Sequence, residues 1–214
     1  MAVLLFFVCG PLLLLSAIES VAGHGFAYEV SIGGQDSPGW YPFDDPYQDP
    51  VPQRVIRKIK DDGPGEYSDM NCGIGGDTGT SVVADVAPGP QVIFKWQGSK
   101  KWQCWPADHQ GPVSTYMASC DGDCTSFLAS NAKWFKVDAR GYDPNTKKWA
   151  TDQLEANNCT WTSTIPAHLE TGQYLMRHEI VALHSIDKFH SAYNPPQFYP
   201  SCMQVVSPFS KDQS

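Results

Sequence analysis

Apolar and polar positions along this chain alternate mostly with a period of two, and no window sustains the 3.6-residue repeat of an amphipathic helix. Residues 81–86, 91–96, 113–118, 135–139 and 161–165 read as short strands. The run 173–184, dense in Leu, Ile, Val and Tyr, is the longest. Between the first two runs, Ala87-Pro88-Gly89-Pro90 predicts a hairpin connection. Residues 33–53 carry Gly33-Gly34, Pro38-Gly39, Pro42, Pro46, Pro50 and Pro52, which break both periods and predict a long, structured surface loop. The basic run from Arg54 to Lys60, interrupted by Val55, Ile56 and Ile59, reads as a solvated strand face. Short strands at close spacing with Gly/Pro turns predict an all-β fold, an immunoglobulin/fibronectin-like antiparallel β-sandwich with long surface loops.

The first residues depart from that pattern. Residues 3–18 hold an apolar run too short for a membrane span, followed by the small residues Val21-Ala22-Gly23. This predicts a secretion signal over 1–23, an extracellular protein beginning at His24, and no membrane attachment after cleavage. The leader carries no Lys or Arg, so only the Met1 amine supplies its positive charge. With no repeat and no linker, residues 24–214 read as a single domain long enough for a sizeable core.

Charge and cysteines narrow the class. A formal charge of −8 without a basic cluster argues against nucleic acid, because phosphate contacts need Lys and Arg. Of the seven cysteines, Cys9 leaves with the signal. Cys72, Cys104, Cys120, Cys124, Cys159 and Cys202 then form an even set that suggests disulfides, with fifteen pairings open. Cys120-Asp-Gly-Asp-Cys124 reads as a small disulfide ring, since no second close pair completes a zinc site. Asn158-Cys159-Thr160 is an N-glycosylation acceptor motif and predicts a glycoprotein.

Candidate chemistry begins at the cleavage point. Cutting after Gly23 gives His24 both a free α-amine and an imidazole, two nitrogens able to chelate one metal ion. His109 lies in the turn Asp108-His109-Gln110-Gly111-Pro112, at the end of the sandwich. Period-two alternation along 173–184 puts His178 and His184 on one face, and alternation likewise pairs Gln197 with Tyr199. The acidic residues form no motif resembling the paired carboxylates of a glycosidase. His168 and His190 read as ordinary surface residues.

His24-Gly25, His109-Gln110-Gly111-Pro112, the run from Gly172 to His184 and Gln197-Phe198-Tyr199-Pro200-Ser201-Cys202 occur in one order from His24 to about Val206. Together they resemble the fungal copper-dependent lytic polysaccharide monooxygenases of auxiliary activity family nine, formerly filed as glycoside hydrolases. The resemblance implies one copper held by the amine and imidazole of His24 and the imidazole of His109, with Tyr199 at its axial side. It gives His184 and Gln197 the role of positioning and polarising the oxygen species, and leaves His178 structural. It implies cleavage of β-1,4-glucan, cellulose or a relative, by hydrogen abstraction at C1 or C4, with O2 or H2O2 and an external electron donor, by a monomer. It also implies that Cys120 pairs with Cys124 and Cys72 with Cys202, which leaves Cys104 with Cys159.

Substrate-stacking rings are expected on the loop bearing Trp40, Tyr41, Phe43 and Tyr47, with at least half of them packed beneath it. A non-catalytic secreted copper- or cell-wall-binding protein of the same fold is the alternative; the presence of Tyr199, His184 and Gln197 favours the enzyme. Two departures from the family pattern stand out: a longer spacing between His184 and Gln197, and an apparent shortening after Cys202.

Overall fold

The computed structural model describes residues 25–60, 70–86, 89, 91–98, 103–186 and 195–207. The proposed signal, His24 and residues 208–214 lie outside them, as does His190. Among the described residues no helix is long and apolar enough to cross a membrane.

Alternation builds two sheets facing each other across one core. The strands are β1 (Gly25–Ile32), β2 (Gln35–Pro38), β3 (Ala84–Asp85), β4 (Gln91–Gly98), β5 (Val113–Ser119), β6 (Phe135–Arg140), β7 (Thr160–Thr164), β8 (Gly172–Ala182) and β9 (Gln197–Ser207). One sheet runs β2-β1-β4-β7 and the other β3-β9-β8-β5-β6. Every pairing is antiparallel except the short parallel contact of β3 with β9. Val92, Phe94 and Trp96 of β4 are buried in the same cluster as Met176 and Ile180 of β8. Each such side chain contributes roughly 1.5–3 kcal/mol by leaving water, which offsets the cost of ordering the chain.

Several expectations are corrected. Residues 81–86 and 91–96 are not two arms of a hairpin: β3 joins β9, whereas β4 joins β1 and β7 in the other sheet. The Pro/Gly signal announced a reversal, but it carries no information about which sheet receives the returning chain. Residues 33–53 are not all loop. Gly33 and Gly34 take φ of 58° and 82°, and their turn folds β2 back onto β1. A 3-10 turn follows at Asp45–Tyr47.

A helix, α1 (Ala150–Ala156), also went unseen. Its two turns bury only Ala150, Thr151 and Leu154, too few for a period to register, and Asp152 accepts a hydrogen bond from the Trp149 N–H at 2.6 Å to start it. The run 173–184 ends as a strand at Ala182, so parity does not reach His184.

The basic run is not solvated throughout. Arg57 is 0% exposed, and its guanidinium donates to the carbonyls of Gly76, Asp77, Cys124 and Phe127 and to Oε1 of Gln204. Burial lowers its pKa to about 10, which leaves it a cation at neutral pH. It ties the segments around residues 76 and 124 to β9, on the face of the five-stranded sheet turned away from the core. There the Cys72–Cys202 and Cys120–Cys124 disulfides pack with Leu175 and Ala129. Cys104 pairs with Cys159. All three links agree with the pairing implied by the resemblance.

Candidate metal centre

The site stands where the ends of four segments meet. The Val181 N–H donates to Pro112 O and the Leu183 N–H to Gln110 O, so the end of β8 continues its ladder onto the turn that carries His109. That register brings His184 over His109. Their rings stack with centroids 3.7 Å apart and planes 24° apart. Gln197 opens β9 directly opposite Ala182, which delivers Gln197 and Tyr199 to the same end. Gly25 opens β1 against Gly98.

His109 is buried, with 4% exposure. Its Nδ1 lies 2.8 Å from the Asp108 carboxylate. A carboxylate can only accept, so this contact places the proton on Nδ1 and turns the lone pair to Nε2. The same bond holds the Asp108 carboxyl below the usual carboxylate range. Burial pulls the His184 pKa down, and the neighbouring His109 adds to the effect.

Tyr199 is buried between Trp105, 5.0 Å away at 88°, and His109, 6.3 Å away. Its hydroxyl donates to Oε1 of Gln197 at 2.6 Å, and burial pushes its pKa well up. It is therefore a neutral phenol at any physiological pH.

Trp105 and Asp108 are the residues that sequence reasoning missed. The Trp105 indole N–H donates to His109 O at 2.9 Å, and its ring makes edge contacts with His109, Tyr199 and Trp96. Gly25 lies on the same ring: a Cβ there would fall 2.3 Å from Trp105 Cζ3. Only glycine permits that approach, and the residue before it is joined through a Cα–Cα step of roughly 3.8 Å. Trp105 is thus the floor on which the β1 entry, His109 and Tyr199 converge. The available signals were a tryptophan beside Cys104 and four residues before His109, and an aspartate adjoining that histidine.

His178 is elsewhere. It is 0% exposed in mid-β8, stacked on Phe94 at 4.5 Å, with its Nδ1 accepting from the Trp96 indole N–H at 3.1 Å. His168 is exposed beside a turn, as read from the sequence. Among the described residues no three His, Cys, Asp or Glu side chains converge on one point. Of the expected rings, Trp40 is buried with its N–H on Ile59 O, Tyr41 and Phe43 pack half-buried against Phe26, and Tyr47 is 79% exposed.

Comparison with known proteins bears on this arrangement. The model of Auxiliary Activity family 9, formerly GH61, matches residues 24–207. AA9 family lytic polysaccharide monooxygenase A of Gloeophyllum trabeum is 43% identical over 201 residues, covering 89% of this chain and 59% of that protein. Monooxygenase B of the same fungus is 40% identical over 195 residues, covering 86% of this chain and 73% of its own length. The extended catalytic domain of H. jecorina LPMO9A superposes with a TM-score of 0.77 at 30% identity, over 89% of this chain and 76% of that one. The chain spans 59% and 52% of the length of two G. trabeum monooxygenases A that it matches. Match and site residues run in one order along the whole sandwich, and on that ground the chain belongs to auxiliary activity family 9, the copper-dependent lytic polysaccharide monooxygenases.

Proposed function

We propose that the protein is a secreted monooxygenase that cleaves β-1,4-glucan oxidatively, with one copper held by the α-amine and imidazole of His24 and by His109. The observation that carries this is the state of His109: Nδ1 is committed to Asp108, so Nε2 is the nitrogen left for a metal, at the end of the sandwich where β1 begins. Imidazole and amine nitrogens suit copper, which tops the divalent affinity order. Bound copper would supply one-electron redox chemistry toward O2 or H2O2, for hydrogen abstraction at C1 or C4 of a glucan ring.

The chain's own groups divide the remaining work. Asp108 fixes the tautomer and plane of His109, as a carboxylate partner does for metal-binding histidines. Tyr199, held by Trp105, presents a neutral phenol whose O–H donates a hydrogen bond to Gln197 Oε1. His184 covers His109 from the solvent side and offers an imidazole N–H beside it. The Cys104–Cys159 bridge anchors Trp105, whose backbone N–H donates to Cys159 Sγ. Tyr47 is the exposed ring on the 40–47 segment suited to stacking on a sugar.

Binding must compete with protons, because an α-amine has a pKa of about 8 and coordinates only when deprotonated. Secretion from a eukaryotic host with removal of residues 1–23, read by intact mass, is the first requirement. Copper-loaded protein given reductant, H2O2 and several glucans should then release oxidised oligosaccharides, detected by mass spectrometry. Copper binding without such products would instead identify a non-catalytic copper protein of this fold.

A further inference from the structure

We infer that Tyr142 and Trp149 form a second glucan subsite, on the opposite flank of His109 from the 40–47 segment; the inference rests on the proposed action on β-glucan and adds residues to it. β6 ends at Arg140, which pairs with Val113 at the start of β5, so the connection from β6 to α1 emerges beside Gly111 and His109. The 40–47 segment, by contrast, packs through Tyr41 and Phe43 on Phe26 of β1, in the other sheet.

The connection is a built loop. Asp143 and Lys148 bridge as antiparallel partners, with the Asp143 N–H donating to Lys148 O at 2.8 Å. The Asp143 carboxylate accepts from the Asn145 N–H and the Thr146 hydroxyl, each at 2.9 Å, which closes the turn from inside. Tyr142 and Trp149 flank this closed turn, one on each stem, and their rings lie 5.3 Å apart at 58°. Tyr142 is 49% exposed and Trp149 half-buried. A ring left in water on a closed turn gains little from folding. Its order there lowers what a ligand must expend to bind it.

The loop is also joined to the metal-site turn. One oxygen of Asp152 accepts from the Trp149 N–H and the other from Gln110 Nε2, at 2.6 and 2.9 Å. Thr151 and Gly111 exchange hydrogen bonds, the Gly111 N–H donating to Thr151 Oγ1 and the Thr151 N–H to Gly111 O. The aromatic pair is therefore held in register with His109 through two residues of the same turn. Among the described residues, no hydrogen-bond partner occupies the Tyr142 hydroxyl or the Trp149 indole N–H.

Two tilted rings with free polar edges, continuous with a site for polysaccharide oxidation, fit a pyranose chain. Ring faces meet the C–H faces of the sugar while the O–H and N–H donate to its hydroxyls. Tyr142 is placed as a specificity-determining contact, and Trp149 as its partner.

The experiment uses copper-loaded protein beginning at His24, with cellohexaose and phosphoric-acid-swollen cellulose as probes. Tyr142→Ala should weaken binding of both about five- to tenfold, the loss of one stacking contact, with melting temperature and copper affinity as in the parent. The indole N–H resonance of Trp149, assigned by its loss in Trp149→Phe, should shift when cellohexaose is added to the copper-free protein. Binding by Tyr142→Ala within about twofold of the parent, together with an unmoved Trp149 resonance, would overturn the subsite and leave the copper assignment standing. If the parent binds copper but neither glucan, the subsite also falls. Absence of copper binding by the parent would instead remove the proposed function, whatever the outcome at Tyr142.

Discussion

His178 and His109 are both buried imidazoles within reach of a tryptophan, yet the chain uses them in opposite ways. His178 sits in the dry middle of the sandwich, flat against Phe94, with Nδ1 accepting from Trp96. Its proton is therefore on Nε2, which finds no partner among the described residues. Burial pulls its pKa down to about 3, so it is a neutral polar plug in an apolar core. His109, at the rim, carries its proton on Nδ1, toward Asp108, and keeps Nε2 as a lone pair. The type of neighbour on Nδ1, a donor in one case and an acceptor in the other, separates a histidine closed into the core from one whose Nε2 lone pair is left for a ligand, as the proposed copper site requires.

The largest expected effect follows from the interior member of the pair. His178→Ala should cost roughly 3 kcal/mol or more, the loss of a fully buried ring and the cavity left behind, measured by urea unfolding with disulfides intact. Copper affinity should stay at the parental value. A fall in copper affinity alongside would break the distinction.

Acid should act through the same residue. The unfolded chain protonates His178 near 6.5, while the folded chain resists until about 3. Between those values the unfolded state holds the extra proton, so stability falls as pH falls, by at most ~1.4 kcal/mol per pH unit, and is unaffected by this group above 6.5. Glu179, whose carboxyl burial pushes up, works in the other direction, adding stability below its ordinary pKa and losing it as pH rises through the folded value. A His178→Phe protein should therefore show a flatter acid limb than the parent. An unchanged slope would mean that His178 does not carry the acid response.

At the rim the effects should fall on metal affinity instead. Asp108→Asn replaces the charged acceptor that sets the His109 tautomer and should weaken copper binding about tenfold, at the lower end for such partners, with little change in melting temperature. Trp105→Phe should do less. It keeps the floor of the site but leaves His109 O without its donor, for a loss of about 1 kcal/mol in stability and a slight weakening of copper binding.

These residues also mark how far the sequence was legible. Alternation located six of the nine strands, because a half-buried strand writes its burial directly into a period of two. The motif singled out His109, His184, Gln197 and Tyr199, which the fold brings to one end of the sandwich, but the parity argument for His184 failed. The strand stops at Ala182, and backbone pairing of Val181 and Leu183 with Pro112 and Gln110 sets the position of His184. Trp105 and Arg57 were not legible for a common reason. Trp105 matters because β1, β4 and β9 meet on its ring together with its own turn. Arg57 is buried because the carbonyls of Gly76, Asp77, Cys124 and Phe127, from segments remote in sequence, turn toward it. No local pattern encodes either convergence.

The central claim is that a free amine on His24 and Nε2 of His109 share one copper. Calorimetric titration with copper of three proteins tests it most directly: the chain starting at His24, the same chain retaining Gly23, and His109→Ala starting at His24. The account predicts one tight site in the first, and a loss of at least about a hundredfold in affinity in each of the others, beyond the effect of altering a supporting residue. Equal affinity in the protein that keeps Gly23 would contradict it, because the amine would then belong to another residue and the metal would be held some other way.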